Sequence, residues 1–412
     1  MILFRKREKR EKDSDLLRIL IVLSMPYIAM GLSQNGFLGL LPFVREEFVL
    51  TRVQVGYYST SFFVSAAVLA VFSGSIVDKL GPRKSLLLGI GCMSLILMLY
   101  GLSPSYKVLL FMAILAGLGL SIITPAVIKG VVIAVPPEKR AVSMGIVQSG
   151  YGFGSIAGAS LLPLMGESLG WRIAVQVAAA FALLTGLLAY NFYQEQNNSS
   201  RILEISENQR GKQLSFKDNL LSLLVNKPLF RVCVLGIIFG VSEGAVISHF
   251  AVFLSEDLNM SRVIAGLGLG TLHFGGIIGL TGWGWVSDRL FRGDRRLSLF
   301  IIGLAIGTMY LLFGLFLNTP QVSPVTVFVF SFLLGFLALS WSGVYFVMIG
   351  EFAGDKQAGI ATGLSLSFIR TGILVAPLGF GFIADVKGNY EYSWLLFGVV
   401  IIVVSSLFLL RD

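Results

Sequence analysis

Glu243 and Arg370 each interrupt a long apolar stretch of this 412-residue sequence. If those stretches cross a bilayer, a charge near the midplane costs roughly 2.5–3.5 kcal/mol or more, so an ionisable residue kept there is a functional candidate. Arg370 lies in Ser365-Leu-Ser367-Phe-Ile-Arg370-Thr371-Gly372, a polar face on an otherwise apolar helix and too deep to snorkel easily. A guanidinium in that setting can bind a substrate anion, or it can pair with an acid on a neighbouring helix, for which Glu243 is the obvious partner. Glu243 lies in Gly240-Val-Ser242-Glu243-Gly244. That string fits the G-x-S-x-G nucleophile elbow, but the elbow needs a strand–turn–helix context with a triad histidine and acid, and an apolar helix offers none of these. A lone carboxyl in hydrocarbon suits a proton carrier; permanent pairing with Arg370 and simple polar packing are its other readings.

Further polar residues inside the apolar stretches are expected to line a binding cavity. Lys129 follows Thr124-Pro125, where a proline kink would turn the helix toward the cavity and make Lys129 a second cation for an anion; its nearness to the helix end also allows snorkelling. Gln34 and Asn35, Gln148 and Ser149, and Ser340, Trp341, Ser342 and Tyr345 complete the expected lining. His273 is a candidate for substrate binding and proton transfer, and His249 a weaker one, since a lone histidine on an apolar face is more often a satisfied core residue. Pro26, Pro125 and Pro377 mark expected kinks. The two histidines and two cysteines make no metal-ligand spacing, so no metal and no cofactor is expected. Cys92 and Cys233 both lie in apolar segments, which excludes a disulfide framework.

Composition says what must hold these residues. Hydrophobic residues make up 55% of the chain and charged residues 13%, with a mean hydropathy of +0.82. Soluble domains carry roughly 25% charged residues, so this much apolar surface cannot be hidden in a water-soluble core. The chain reads as a membrane protein, and its 47 glycines suit close packing of membrane helices. The start, MILFRKREKREKD, reads as a charged cytoplasmic tail and not as a cleavable signal peptide.

A span needs about 20 mainly apolar residues. That ruler places spans near 16–42, 53–77, 85–103, 106–134, 140–163 and 171–193, then near 229–254, 262–286, 297–317, 322–349, 357–384 and 391–410. Basic residues test the topology. With the N-terminus cytoplasmic, 24 of the 32 lysines and arginines fall inside, while Arg45, Arg52, Lys107, Arg172, Arg262 and Lys387 fall outside. The net charge of +9 therefore reflects membrane orientation and not nucleic-acid binding. The expected fold is an all-α polytopic membrane protein with twelve transmembrane helices in two six-helix bundles, both termini cytoplasmic, in the inner cell membrane. Residues 1–15 form the tail, 16–193 the first bundle, 194–228 a linker and 229–410 the second bundle. In the linker, Ser215 and Asp218 have capping-box-like spacing ahead of Leu220, Leu221, Leu223 and Leu224, which predicts a short amphipathic helix on the cytoplasmic face. The sequons at Asn197 and Asn198 would be cytoplasmic and without consequence.

Two loops repeat a pattern. The first is Gly74-Ser-Ile-Val-Asp78-Lys-Leu-Gly81-Pro-Arg83-Lys84, after span 2; the second is Gly284-Trp-Val-Ser-Asp288-Arg289, with Arg292, Arg295 and Arg296, after span 8. Gly and Asp four residues apart share one helix face, where glycine permits close approach and the acid can face a neighbouring helix N-terminus. With these residues the chain resembles the major facilitator superfamily, whose signature GxxxD-(R/K)-x-G-x-(R/K)-(R/K) lies between helices 2 and 3. Pro136-Pro137-Glu138-Lys139-Arg140, the glycines Gly150, Gly152, Gly154 and Gly158, and Gly170-Trp171-Arg172 agree with that resemblance. One departure is the arginine often found early in helix 4, near whose place stands Ala113. The resemblance implies a functional monomer with two bundles rocking around a central cavity, helices 1, 4, 7 and 10 on its wall, helices 2, 5, 8 and 11 contributing, and Asp78 and Asp288 latching the cytoplasmic side in the outward-open state.

The leading expectation is a secondary transporter, not an enzyme, that moves a small organic anion with protons, clamped by Arg370 and Lys129, with Glu243 as carrier. The alternative is a proton-driven efflux pump for lipophilic or cationic compounds. A non-transporting sensor is disfavoured because no large soluble domain is appended.

Overall fold

The computed structural model describes residues 2–136, 139–193, 223, 225–315, 322–353 and 358–410. Among them are twelve helices: α1 (Ile2–Phe48), α2 (Arg52–Tyr100), α3 (Tyr106–Ala134), α4 (Arg140–Leu169), α5 (Trp171–Phe192), α6 (Lys227–Glu256), α7 (Arg262–Arg289), α8 (Arg295–Leu315), α9 (Pro324–Ala338), α10 (Ser342–Ala353), α11 (Ala358–Lys387) and α12 (Glu391–Leu410). The amphipathic helix expected in the linker lies outside the described residues.

Local chemistry sets the boundaries. Thr51 opens α2 with a full capping box, its side chain accepting from Gln54 N while Gln54 returns a bond to the Thr51 N–H. Ser105, Asn226, Ser261 and Ser323 cap α3, α6, α7 and α9 in the same way, each accepting from the N–H three residues on. α2 carries two of the expected spans and breaks between them at Gly81, whose φ of 76° only glycine adopts at little cost. The expected single span 322–349 is also divided: the chain leaves the helix at Leu339 and re-enters it at Ser342.

Among the described residues, ten stretches are long and apolar enough to cross a membrane. The expected spans 53–77 and 140–163 are not among the ten. Five glycines and Gln148 dilute the second. Both are helical, and both face the other half of the molecule.

The two halves repeat one packing scheme. In the first, α1 lies against α4, where Gly150, Gly154 and Gly158 bring it onto the backbone of Ser24, Ile28 and Leu32. In the second, α6 lies against α11, with Gly240 and Gly244 on the backbone of Ile369 and Ile373. Contact between the halves also comes in a matched pair, α2 with α11 and α4 with α7. Small residues supply these approaches because apolar side chains gain little by leaving lipid for protein. The start of α1 meets the end of α5 through Arg18 over Phe192, and the start of α8 meets the end of α12 through Arg296 over Phe408. Both chain ends therefore share one face, called here the terminal side.

Candidate functional site

A cavity of about 830 Å³ lies between the halves. The first half contributes Tyr27, Met30 and Asn35 from α1, Thr124 from α3, and Gln148, Ser149 and Tyr151 from α4; the second contributes Glu243 and Ile247 from α6, His273 and Thr281 from α7, and backbone-level contacts at Leu339 and Gly343. Of the expected wall residues, Asn35, Gln148, Ser149, Glu243 and His273 are thus brought together.

Asn35 is the centre of a built network. Its Nδ2 donates to Tyr151 Oη at 3.0 Å and to Ser155 Oγ at 2.8 Å. Tyr151 in turn donates to Gln34 Oε1 at 3.2 Å, and Ser155 to the Tyr151 carbonyl at 2.7 Å. Both hydroxyl protons are committed elsewhere, so the Asn35 group facing them must be its NH₂. Asn35 Oδ1 is left buried without a hydrogen-bond partner. Gln34 supports this network from behind, 7% exposed and absent from the cavity wall.

Across the cavity, Glu243 is half-buried and makes no hydrogen bond or ion pair among the described residues; Tyr151 lies within its Coulombic reach. Its expected pairing with Arg370 is not present. His273 is 8% exposed, with Nε2 unpartnered. His249 is a different case: Nε2 lies 2.8 Å from the Pro377 carbonyl and Nδ1 2.9 Å from Tyr390 Oη. A carbonyl only accepts, so Nε2 carries the proton and Tyr390 donates to Nδ1. His249 is a satisfied structural residue.

Other expected wall residues, Ser340 and Ser342 among them, are not on this wall. Lys129 Nζ bonds Asp78 Oδ1 at 2.7 Å and the Val77 carbonyl at 3.3 Å, so it serves the repeated loop and not the cavity. Trp341 and Tyr345 are 1% and 0% exposed, with Trp341 stacked on Phe239 at 5.0 Å and Tyr345 edge-on to Trp341. The break at Leu339 rotates the helix, so that Leu339 and Gly343 face the cavity instead. Arg370 is exposed, without an ion pair or hydrogen bond among the described residues, and is not on the wall of this cavity. It lies on the α11 face that meets α2: one turn beyond it, the Leu374 carbonyl accepts from Thr60 Oγ1 at 2.9 Å.

The side away from the termini is sealed. Asp385 in α11 accepts from the Arg52 and Val53 N–H groups at 2.7 and 2.8 Å, capping α2 from the other half. The Arg52 guanidinium reaches Glu256 at 3.3 Å and Asp257 at 3.4 Å, and Arg45 also pairs with Glu256. Burial raises the Asp257 carboxyl above the usual carboxylate range, against the pull of the Tyr390 N–H and Arg52. Arg262 in α7 pairs with Glu46 of α1. The basic-residue bias puts Arg45, Arg52 and Arg262 outside but gives no partner for any of them.

The terminal side is open. Among the described residues, a Cβ placed on Gly74, Gly145, Gly284, Gly350 or Gly363 would meet nothing within 4 Å, whereas Gly56, Gly266 and Gly381 nearer the seal press on the opposite half. Asp78 is held by Lys129 and Asp288 by Arg295 at 2.6 Å, each within its own half. Arg83 donates to the Tyr190 carbonyl at 2.7 Å and covers its ring, while Lys84 and Arg289 are exposed.

A two-half helical body, sealed at one side and open at the other around a polar cavity, defines a multi-pass membrane transporter. Residues 23–315 and 232–412 match the Major Facilitator Superfamily, and the chain belongs to it. Probable sulfoacetate transporter SauU of Cupriavidus necator is 25% identical, over 95% of this chain and 93% of its own. Membrane sensor protein UhpC of Escherichia coli is 22% identical over 94% and 89%, and a hexuronate transporter of Bacillus subtilis 21% over 95% and 94%. The sensor relative is matched over 89% of its own length, so the expectation that a sensor carries a large appended domain does not hold for it. Among solved structures, a bacterial homolog to the human lysosomal transporter Spinster, in an inward-facing and unoccupied conformation, superposes with a TM-score of 0.76 at 14% identity, covering 97% of this chain and 96% of that one. The protein is a multi-pass cell-membrane transporter and not an enzyme.

Proposed function

We propose that this protein moves a small organic anion across the cell membrane together with protons, by rocking of its two halves about the central cavity. The observation that carries the reading is Glu243, an acid within the membrane that faces the cavity with no partner among the described residues. An unpaired carboxyl there is costly as a bare charge, and taking up a proton relieves that cost. Arg370 is the corresponding unpaired cation, and two relatives are named for anions, sulfoacetate and hexuronate. The basic-residue bias makes the terminal side cytoplasmic, with all twelve expected spans crossing the membrane.

The packing register supports the latch role of the repeated loops. Gly56 meets Pro377 and Thr60 meets Leu374 across α2 and α11; continued toward the cytoplasm, this antiparallel register carries Asp78 to the start of α11. Across α4 and α7, Gly270 meets Ser160 and Gly152 meets Ile277; the same continuation carries Gly284 to Gly145 and Asp288 to the start of α4. The glycines now facing empty space are those that closure would press together, and each aspartate would face a helix N-terminus.

Efflux of lipophilic cations is the second reading, favoured by one observation: Glu243 is the only charged residue on the described cavity wall. Uptake of labelled sulfoacetate and glucuronate into proteoliposomes, with tetraphenylphosphonium as the competing class, separates the two. Transport of tetraphenylphosphonium with neither anion moved would replace the first reading with the second.

A further inference from the structure

We propose that Arg370 makes closure of the cytoplasmic side conditional on a bound anion, so that the empty carrier is held open. The proposal rests on the anion reading above and adds the step at which the anion is required.

Residues 363, 367, 370, 374, 377, 381 and 385 of α11 recur at three- and four-residue steps and form one face. Four contacts assign that face to α2: Asp385 on the Arg52 N–H, Gly381 on the Arg52 backbone, Pro377 on Gly56, and Leu374 on Thr60. Each step toward the termini along one helix is matched by a step along the other. Arg370 is therefore brought level with Phe63, Val64 and Ala67 when the cytoplasmic halves of α2 and α11 come together.

That surface offers a guanidinium nothing. Val64 is 38% exposed in the present open state, and all three residues are apolar. The next acid along α2 is Asp78, fourteen residues on, which is about 21 Å along a helix. The rest of the first half is no better: residues 16–45, 53–77, 85–134 and 140–166 contain no aspartate or glutamate. Within the second half, Glu243 moves with Arg370 as part of one bundle and does not pair with it here. Closure without a ligand would thus trap an unpaired cation against apolar side chains, an expensive arrangement that a substrate carboxylate or sulfonate would relieve. The matching α4–α7 interface has no such group: there Gln148 comes level with Thr281, both neutral. The consequence is fast exchange of anion for anion, with return of the empty carrier as the slow step of net uptake.

The test is a distance measurement in lipid nanodiscs between spin labels at Leu80→Cys and Leu290→Cys, both exposed at the cytoplasmic ends of opposite halves, with Cys92 and Cys233 replaced by serine. Without ligand, the parent protein is expected in the long-distance state. Arg370→Leu should populate the short-distance state about tenfold more, and Arg370→Lys, which keeps the charge, should match the parent. Sulfoacetate or glucuronate should shorten the distance in the parent and leave Arg370→Leu unmoved. Identical ligand-free distributions for the parent and Arg370→Leu would overturn the proposal. If Arg370→Leu closes but tetraphenylphosphonium, and neither anion, closes the parent, the anion reading itself fails.

Discussion

Lys129 in α3 binds Asp78 in α2 through a 2.7 Å ion pair that stays within the first half of the molecule. The acid of the repeated loop is therefore parked while the cytoplasmic side is open. The Asp78 side chain is 75% exposed, so the pair is worth no more than about 1 kcal/mol. Lys129→Met is expected to move the open–closed equilibrium toward closure by at most about fivefold, read by the same pair of spin labels. A large shift toward the open state would mean that Lys129 helps to form the latch and does not restrain it.

Gly284 and Gly145 separate folding from movement. Neither has a neighbour within 4 Å of a Cβ, so leucine at either position should leave the melting temperature unchanged. Both are expected to abolish uptake, because the added side chains would meet on closure. Gly266→Leu is the contrast: its Cβ would stand 2.8 Å from the Ala159 carbonyl in the sealed interface, and overpacking of this kind costs about 1–3 kcal/mol. Full transport by Gly284→Leu would contradict the assigned register.

Asp385 holds the outer seal by capping α2 with a full charge. Asparagine keeps the shape but weakens both bonds to Arg52 and Val53, a loss of about 1–2 kcal/mol. The outward-open share should rise by about 5- to 30-fold. A cysteine at Ser248, which is buried against Ser59 between the halves, should then become reactive to an impermeant thiol reagent from outside. Unchanged labelling would place the seal's strength elsewhere, with Arg45 and Arg262 next to be replaced.

His249→Phe tests the separation of structure from proton coupling. Loss of the imidazole leaves the Pro377 carbonyl and the Tyr390 hydroxyl without their partners, at about 1–3 kcal/mol for each buried group. The melting temperature should fall while any surviving protein still couples transport to the pH gradient. Uncoupled transport at full stability would make His249 part of the proton route.

Much of this arrangement was legible in the sequence for a physical reason: bilayer crossing demands apolar length, and polar exceptions to it are few. Glu243, Asn35, Gln148 and His273 were found as such exceptions, and the repeated loops by their spacing. What hydropathy does not encode is azimuth. Trp341 and Tyr345 are amphipathic and were expected on the wall, but the break at Leu339 turns them into the interior of the second half. Lys129 is expected at the cavity from the kink at Thr124-Pro125, but its length also lets it reach a loop, and only the position of Asp78 decides between them. Tyr151 is not singled out by the sequence although it follows Gln148 by three residues and precedes Ser155 by four, a polar stripe beside the glycines of α4 that face α1. The outer seal joins residues more than 200 positions apart, which no local pattern announces.

The most direct measurement of the central claim is anion accumulation in proteoliposomes under an imposed pH gradient, comparing the parent with Glu243→Gln. The account predicts that the parent accumulates labelled substrate only when the gradient is present. Glu243→Gln should lose that accumulation yet still exchange labelled for unlabelled substrate, since the amide keeps the shape of the wall and removes only the proton site. Gradient-driven accumulation by Glu243→Gln at the parent's level would contradict it.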